Sequence, residues 1–447
     1  MLPLVTAGGL RTAGGAGLRE EVTDLLQRLL RIDTTNPPGN ETPAAELLRG
    51  YLEASGVECE LYARVPERAS LVARLRGRAD GPRLLLLCHT DVVVADAAEW
   101  QLPPFSGELR NGEVWGRGAL DMKGQVAANA VALASLAREG FEPAGELILA
   151  ATADEEVGNH FGLSWLCEQH PDAVRCDYAI NEGGGDRMKL GGKVFYLCSA
   201  AEKMSSPFVL RVRGRSGHAS MPGIADNALV KAAGLVQRLA ALRPEPQIGP
   251  ELELFLRALL GEVPPASEAV ERAAAVDQAA RHLVEPLTGM TLSPTIVSAS
   301  RQRNVIPALC EVTVDCRLVP GQTQAEAEAL IRGAFGDDRS WELEWIEGQG
   351  GTRSALDTPL WEAVSSFVAG LEPDAQAVPI CTAGFTDSHW LREAFGTVAY
   401  GFFPARVMES ELAARLIHSA DERVPVDDLE LGVDFLRFAA KHVLGGR

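Results

Sequence analysis

The chain has 447 residues, 46% of them hydrophobic, and its 42 Lys and Arg against 61 Asp and Glu give a formal net charge of −19. That size and apolar content predict a large core divided between two or three domains. The charge argues against a nucleic-acid-binding surface, because no basic stripe is present, and no apolar run reaches the length of a membrane helix.

The opening MLPLVTAGGLRTAGGAGLRE lacks a basic start and a sustained apolar core, so it is expected to be a loose leader rather than a signal peptide. A helix is predicted over EEVTDLLQRLLRI, broken by DTTNPPGN, and a second over ETPAAELLRGYLEAS. GVECELYAR and SLVARLRG read as strands, and PRLLLLCH is a continuous apolar run of the kind found in strands covered on both faces. A long helix follows at MKGQVAANAVALASLARE, then GELILAATA, the helix GLSWLCEQH and the strand CDYAINE. This alternation predicts an α/β fold, with an open, largely parallel sheet between helices.

The texture changes after about residue 205. PFVLRVRGR alternates as a half-exposed strand does, followed by a helix, DNALVKAAGLVQRLAAL, and a Pro- and acid-rich helical insertion over 244–286. TIVSASR, ALCEVTVDCRLV, the helix TQAEAEALIRGAF and WELEWIEG complete a small one-layer sheet backed by helices. The expected division is therefore 1–205, an inserted α+β domain over 206–349, and 350–447 completing the first domain. The eight cysteines are scattered without a CxxC pair, which suits a reducing cytoplasm.

Chemistry-bearing residues gather at predicted strand ends, where open α/β sheets bind ligands. His89 closes LLLLCH, and Asp91 stands two residues on, able to hold one ring nitrogen while the other meets a metal; a polar strand end is the plain alternative. Asp121, in GRGALDMKG, is placed either to bridge two cations or to cap the following helix. Glu155 and Glu156 end the third run in TADEEVG, Glu182 ends the fourth in INEGGG, and His418 lies in HSADERV. On an extended chain the adjacent Glu155 and Glu156 would point in opposite directions, which argues for unlike tasks, and Asp154 before them is left without one. So many acids at one site are unfavourable unless cations neutralise them, and two histidines with three carboxylates suit two Zn²⁺-like ions better than Mg²⁺.

LLLCHTDVV, GRGALDMKG, TADEEVG, NEGG, GRSGHASMPGIADNA, NVIP, DCRLVPG, GFTDSHW and HSADERV occur in the order seen in one family. The chain resembles the dinuclear zinc hydrolases of aminoacylase, acetylornithine deacetylase, succinyl-diaminopimelate desuccinylase and glutamate carboxypeptidase, peptidase family M20, over roughly residues 22–445. The resemblance implies that His89 and Glu182 hold one ion, Glu156 and His418 the other, and Asp121 both. It also implies that Asp91 orients His89, that Glu155 is the general base, and that His218 steadies an oxyanion, worth about 3–4 kcal/mol. Asn304 and Arg317 would bind substrate, Arg317 by gripping an α-carboxylate. His389 would join them, standing where the family more often has arginine.

The implied cofactors are two divalent ions, Zn²⁺ first and Co²⁺ or Mn²⁺ as alternatives. The implied reaction is hydrolysis of an amide in a small N-acyl amino acid or short peptide by metal-activated water. An exopeptidase, dipeptidase or carboxypeptidase, is the second reading, and a non-catalytic binding protein on the same fold a remote third. A serine hydrolase is disfavoured because no G-x-S-x-G elbow accompanies Ser216 and His218. A homodimer through the inserted domain is the expected association, unless the 244–286 insertion blocks it or shapes the pocket mouth instead. Neither nucleic acid nor membrane is expected as a partner. His160, His170, His282 and His442 read as unrelated to catalysis.

Overall fold

A computed structural model describes residues 15–77, 80–158 and 160–445, so most of the expected leader lies outside the described residues. The chain forms two compact units. The first runs to Ser199 and takes in Ser354–Val378 and the chain from Trp390; the second comprises Ala200–Arg353 and Pro379–His389.

The first unit is built on a nine-stranded sheet. Its order runs Glu58–Ala63, Ala69–Arg76, Glu146–Thr152, Arg83–His89, Tyr178–Asn181, Val398–Gly401, Lys193–Glu202 and Gln376–Thr382, and the ninth strand, Arg187–Leu190, pairs with Lys193–Glu202. Its centre is parallel, because Arg83–His89 pairs in parallel with both neighbours and Tyr178–Asn181 with Val398–Gly401. Ala69–Arg76 is antiparallel to both of its neighbours, so the sheet is mixed. Leu84 to Leu87 are fully buried, as expected of an apolar strand with layers on both faces. The helix Lys123–Arg138 is buried along its whole face from Lys123 to Leu136, and its many alanines let it lie between the helices Gly15–Leu30 and Val426–Leu444.

Two parallel strands end level with one another, and the third closes one residue after Ile180, the partner of Leu86. His89 is in register with Thr152, and Asn181 closes the next strand. The residues that follow Thr152 and Asn181 therefore share the carboxyl edge of the sheet with His89. Gly401 makes room there, since a Cβ on it would stand 1.9 Å from the Glu182 carbonyl oxygen.

The second unit carries an antiparallel sheet ordered Met204–Ser205, Leu309–Leu318, Phe208–Arg213 and Trp341–Trp345, with Thr291–Ser298 also paired to Leu309–Leu318. Leu309–Leu318 alternates buried and open residues, and its buried side packs with Phe208, Leu235 and Ile331 against the helices Ala228–Ala240 and Gln324–Phe335. A Thr323–Glu326 capping box starts the second of these helices. The expected insertion is three helices, Pro250–Leu260, Ala269–Val276 and Gln278–Val284. Lys203 ties the chain beyond it to the sheet: its Nζ donates to the carbonyls of Pro286 and Gly289, each at 2.8 Å. Burial pushes that amine down to about 8.

Among the described residues no helix is long and apolar enough to cross a membrane.

Candidate metal centre

The strand Arg83–His89 delivers His89 into the interior at 2% exposure. Its Nδ1 faces two acceptors of Asp91, the carbonyl at 3.1 Å and Oδ1 at 3.4 Å. With Nδ1 protonated, Nε2 carries the lone pair, and it lies 3.1 Å from Asp121 Oδ1 and 3.7 Å from Glu182 Oε2. On the other side of Asp121, His418 Nε2 lies 3.1 Å from Oδ2 and 3.3 Å from Glu156 Oε2. Asp121 thus stands between two imidazoles, one oxygen toward each. It does not cap the following helix, which starts at Lys123 without a side-chain cap.

Two groups of atoms are close enough to hold an ion: His89, Asp121 and Glu156, and His89, Glu155 and Glu182. Glu156 Oε1 is buried with no hydrogen-bond partner, a position a carboxylate oxygen does not occupy cheaply unless a cation meets it. The donor set of imidazoles and carboxylates fits Zn²⁺. Without the ions, protons take their place. Burial and the Asp121 charge push Glu182 up to about 7, and hydrogen bonds from the His418 ring to the carboxylates of Asp121 and Glu156 push His418 up to about 10. Burial opposes charging of His89, yet Glu182, Asp121 and Asp91 hold it well above its ordinary value.

The Glu155–Glu156 pair is oriented by a different geometry from the one expected. The strand ends at Thr152, and both glutamates lie in a turn, so strand alternation does not set their directions. Asp154 turns the chain with φ +62°, a left-handed conformation that Asp tolerates better than most residues. Both following amides then point at one carboxylate: Glu155 N donates to Asp91 Oδ1 and Glu156 N to Asp91 Oδ2, each at 3.1 Å. Asp91 therefore fixes the His89 ring and the backbone of both glutamates.

Asp154 also has a task that the sequence left open. Asn36 Nδ2 donates to Asp91 Oδ2 at 2.9 Å and to Asp154 Oδ1 at 2.8 Å. Arg68 reaches Asp154 Oδ1 at 3.0 Å and grips Glu41 with two bonds of 2.6 and 2.7 Å. All five side chains are buried. Sequence reasoning gave no role to Asn36, Glu41 or Arg68; the first two lie in RIDTTNPPGNE, which also resembles the family's opening, and no local signal marks Arg68.

The second unit brings His218 and Asn304 side by side. His218 pairs with Val305 on a two-residue ladder, and Ala219 N donates to the Asn304 carbonyl at 3.0 Å. Both residues are exposed. Ser220 N donates to His218 Nδ1 at 3.2 Å, so in the neutral ring the proton sits on Nε2, free to donate. Arg317 is engaged by Asp315 in a fork, Nε to Oδ1 and Nη2 to Oδ2, each at 3.0 Å. His389 is 1% exposed and packs edge-on against Phe385.

Peptidase family M20/M25/M40 matches residues 85–442. The N-fatty-acyl-amino acid synthase/hydrolase PM20D1 of Xenopus tropicalis is 28% identical over 368 residues, 78% of this chain and 70% of that one. The succinyl-diaminopimelate desuccinylase of Methylobacterium sp. (strain 4-46) is 28% identical over 425 residues, 91% of this chain and 92% of that one. Among solved structures, the M20 family metallo-carboxypeptidase Sso-CP2 of Sulfolobus solfataricus superposes with a TM-score of 0.70 at 18% identity, covering 95% of this chain and 99% of that one. Human carnosine dipeptidase 1 superposes with a TM-score of 0.65 at 16% identity, covering 95% of this chain and 96% of that one.

Proposed function

This chain belongs to peptidase family M20/M25/M40 and is a metal-dependent hydrolase of a small acyl-amino acid or peptide bond, and we propose that its substrate is an N-acyl amino acid with an apolar acyl group. The observation that carries the reading is Asp121 set between two imidazoles, Oδ1 3.1 Å from His89 Nε2 and Oδ2 3.1 Å from His418 Nε2, with the amides of Glu155 and Glu156 held by one carboxylate.

In this reading His89 and Glu182 would hold one divalent ion and Glu156 and His418 the other, with Asp121 serving both. The ions, Zn²⁺ or else Co²⁺ or Mn²⁺, supply Lewis acidity that lowers the pKa of a water and polarises the scissile carbonyl. Glu155 takes the proton from that water and returns it to the departing amine nitrogen. Asp91 keeps His89 in the tautomer that offers Nε2. His218 donates from Nε2 to the oxygen that becomes anionic. Asn304, Arg317 and His389 bind substrate; Arg317 exchanges its fork on Asp315 for the α-carboxylate.

Support for the acyl side comes from two directions. The two curated relatives described above are named for acyl-amino compounds, one of them fatty-acyl. In the first unit, Val94, Val157 and Ile417 are exposed at 65%, 58% and 41%, and they lie within three residues of Asp91, Glu156 and His418. Exposed apolar side chains this near in sequence to the proposed site residues favour a lipophilic chain over a succinyl carboxylate. The exopeptidase reading draws on structural likeness at 18% and 16% identity, which establishes the fold alone.

The deciding experiment is a hydrolysis panel with Zn²⁺, Co²⁺ or Mn²⁺: N-acetyl and longer N-acyl amino acids, acetylornithine, succinyl-diaminopimelate and dipeptides. Rising kcat/KM with acyl length is expected. Cleavage confined to dipeptides sinks the acylase reading, and a preference for succinyl-diaminopimelate sinks the apolar one.

The division into a catalytic domain and an inserted domain, and a homodimer through the latter, form part of the proposal. The strand Thr291–Ser298 lies at the edge of its sheet and exposes Ile296 and Val297 at 61% and 57%, which supports pairing there. A monomer in sedimentation equilibrium would reject the dimer. The eight cysteines are thiols rather than disulfides, which supports a cytoplasmic setting.

A further inference from the structure

Asp121 and His418 are 297 residues apart, yet their side chains meet at 3.1 Å. One buried carboxylate joins the two segments that carry them. Glu422, four residues after His418, is 0% exposed. Its Oε2 accepts from Arg117 Nη1 at 2.6 Å and from the Gly118 amide at 2.9 Å. Its Oε1 accepts from the amides of Leu120 at 2.7 Å and Asp121 at 3.0 Å. The link is reciprocal, since the Gly116 amide donates to the Glu422 carbonyl at 2.9 Å. Immediately beyond, Arg423–Pro425 pairs antiparallel with Glu113–Trp115, which fixes where Glu422 enters.

Besides Glu422, the loop is held by backbone bonds from the amides of Arg117, Ala119 and Lys123 to the carbonyls of Pro104, Gly116 and Gly118 respectively. Gly118 sits at φ +89°, and a Cβ there would stand 2.7 Å from Val92 Cγ1. Three amides of four successive residues converge on the carboxylate, an arrangement suited to an anion. We propose that Glu422 is a positioning residue for the metal centre: it locks the loop that presents Asp121 to the segment that presents His418, and so sets the two ligands of the His418-side ion in register. The inference rests on the reading of Asp121 and His418 as ligands.

Glu422→Gln tests it in the full-length protein. Both oxygens of Glu422 face donors only, so the glutamine NH₂ must oppose either Arg117 and Gly118 or Leu120 and Asp121. Binding is read as Zn²⁺ per chain after dialysis and as Co²⁺ titration followed by absorbance. The wild type is expected to take two ions. Glu422→Gln should keep one and bind the second about 10- to 100-fold more weakly, as loss of a group that orients a ligand does. Activity should return when metal is raised to saturation.

Arg117→Met separates loop grip from charge balance, because it removes the ion pair and leaves the three amide bonds. It is expected to lower Tm while metal affinity stays within about two-fold, well short of the effect of losing an orienting group. Wild-type affinity in Glu422→Gln overturns the proposal, as does an equal loss of affinity in Glu422→Gln and Arg117→Met. Should Glu422→Gln not fold, Glu422→Asp keeps the charge but reaches only one side, and unchanged affinity there overturns it equally. A wild type that binds fewer than two ions overturns the dinuclear reading instead.

Discussion

The carboxyl edge of the first unit's sheet and the His218 region of the second unit are built in opposite ways. At the sheet edge the proposed ligands His89 and Glu156 are held by a second buried group: the His89 ring by Asp91, the Glu155–Glu156 turn by Asp91 again, and Asp91 itself by Asn36. In the second unit His218 is exposed with Ser220 as its hydrogen-bonding neighbour, and Arg317 is engaged by Asp315. The difference is one of tolerance. Ligands of an ion need fixed positions before the ion arrives, so their supports are buried and interlocked. A group that meets the substrate only during reaction can wait on a short ladder at the surface.

The largest expected effect falls on Glu155, which has a place in both descriptions: it stands near His89 and Glu182 and is proposed as the base. Glu155→Gln should retain both ions by metal analysis and lose activity about ten-thousand-fold. Loss of an ion in this variant would make Glu155 a ligand and erase the distinction from Glu156.

His218→Ala comes next. It should lower kcat by about 10²- to 10³-fold and leave metal content and Tm unchanged, because nothing buried depends on the ring. A fall in Tm comparable with that of a core variant would show that the exposed region is as interlocked as the sheet edge.

Arg68→Met probes the opposite case. Glu41 and Asp154 would remain buried without their cation, at a cost of about 3–5 kcal/mol in chemical denaturation. A change below about 1 kcal/mol, the level of a surface pair, would mean that the network is not what holds the turn.

The smallest effect is one of pH. In the metal-free protein Glu182 and His418 have raised values of about 7 and about 10, so the folded state binds protons that the unfolded state has released. Stability is then present at low pH and lost as pH rises through those values. Between pH 6.5 and 8 the Tm of the metal-free protein should decline, and saturating Zn²⁺ should abolish the decline. A metal-free Tm that rises across this window would contradict the sign.

His89, Glu155, Glu156 and Glu182 stood out because hydrophobic runs mark strand ends, where ligands bind in an α/β sheet, whereas the ligand roles of Asp121 and His418 came from the family resemblance. The jobs of Asp154 and Glu422 were not legible. Asp154 and Glu155 are adjacent acids with the same charge, and only the left-handed turn separates them, sending Asp154 back to Asn36 and Arg68. Glu422 in HSADERV looks like any solvated acid until Gly118, Leu120 and Asp121 converge on it.

From the sequence alone came the α/β class, the strand and helix order of the second unit's sheet and a candidate set of metal-binding residues, because these depend on local periodicity and side-chain chemistry. The strands Glu108–Arg110, Glu113–Trp115, Arg187–Leu190 and Lys193–Glu202 are not among the expected elements. The tertiary structure alone decided which buried charges hold the ligands in place. Asn36, Arg68, Asp91 and Asp154 come from separate stretches of the chain, and a hydrogen bond between such stretches has no local signature. It exists only once the sheet has brought their loops to one edge.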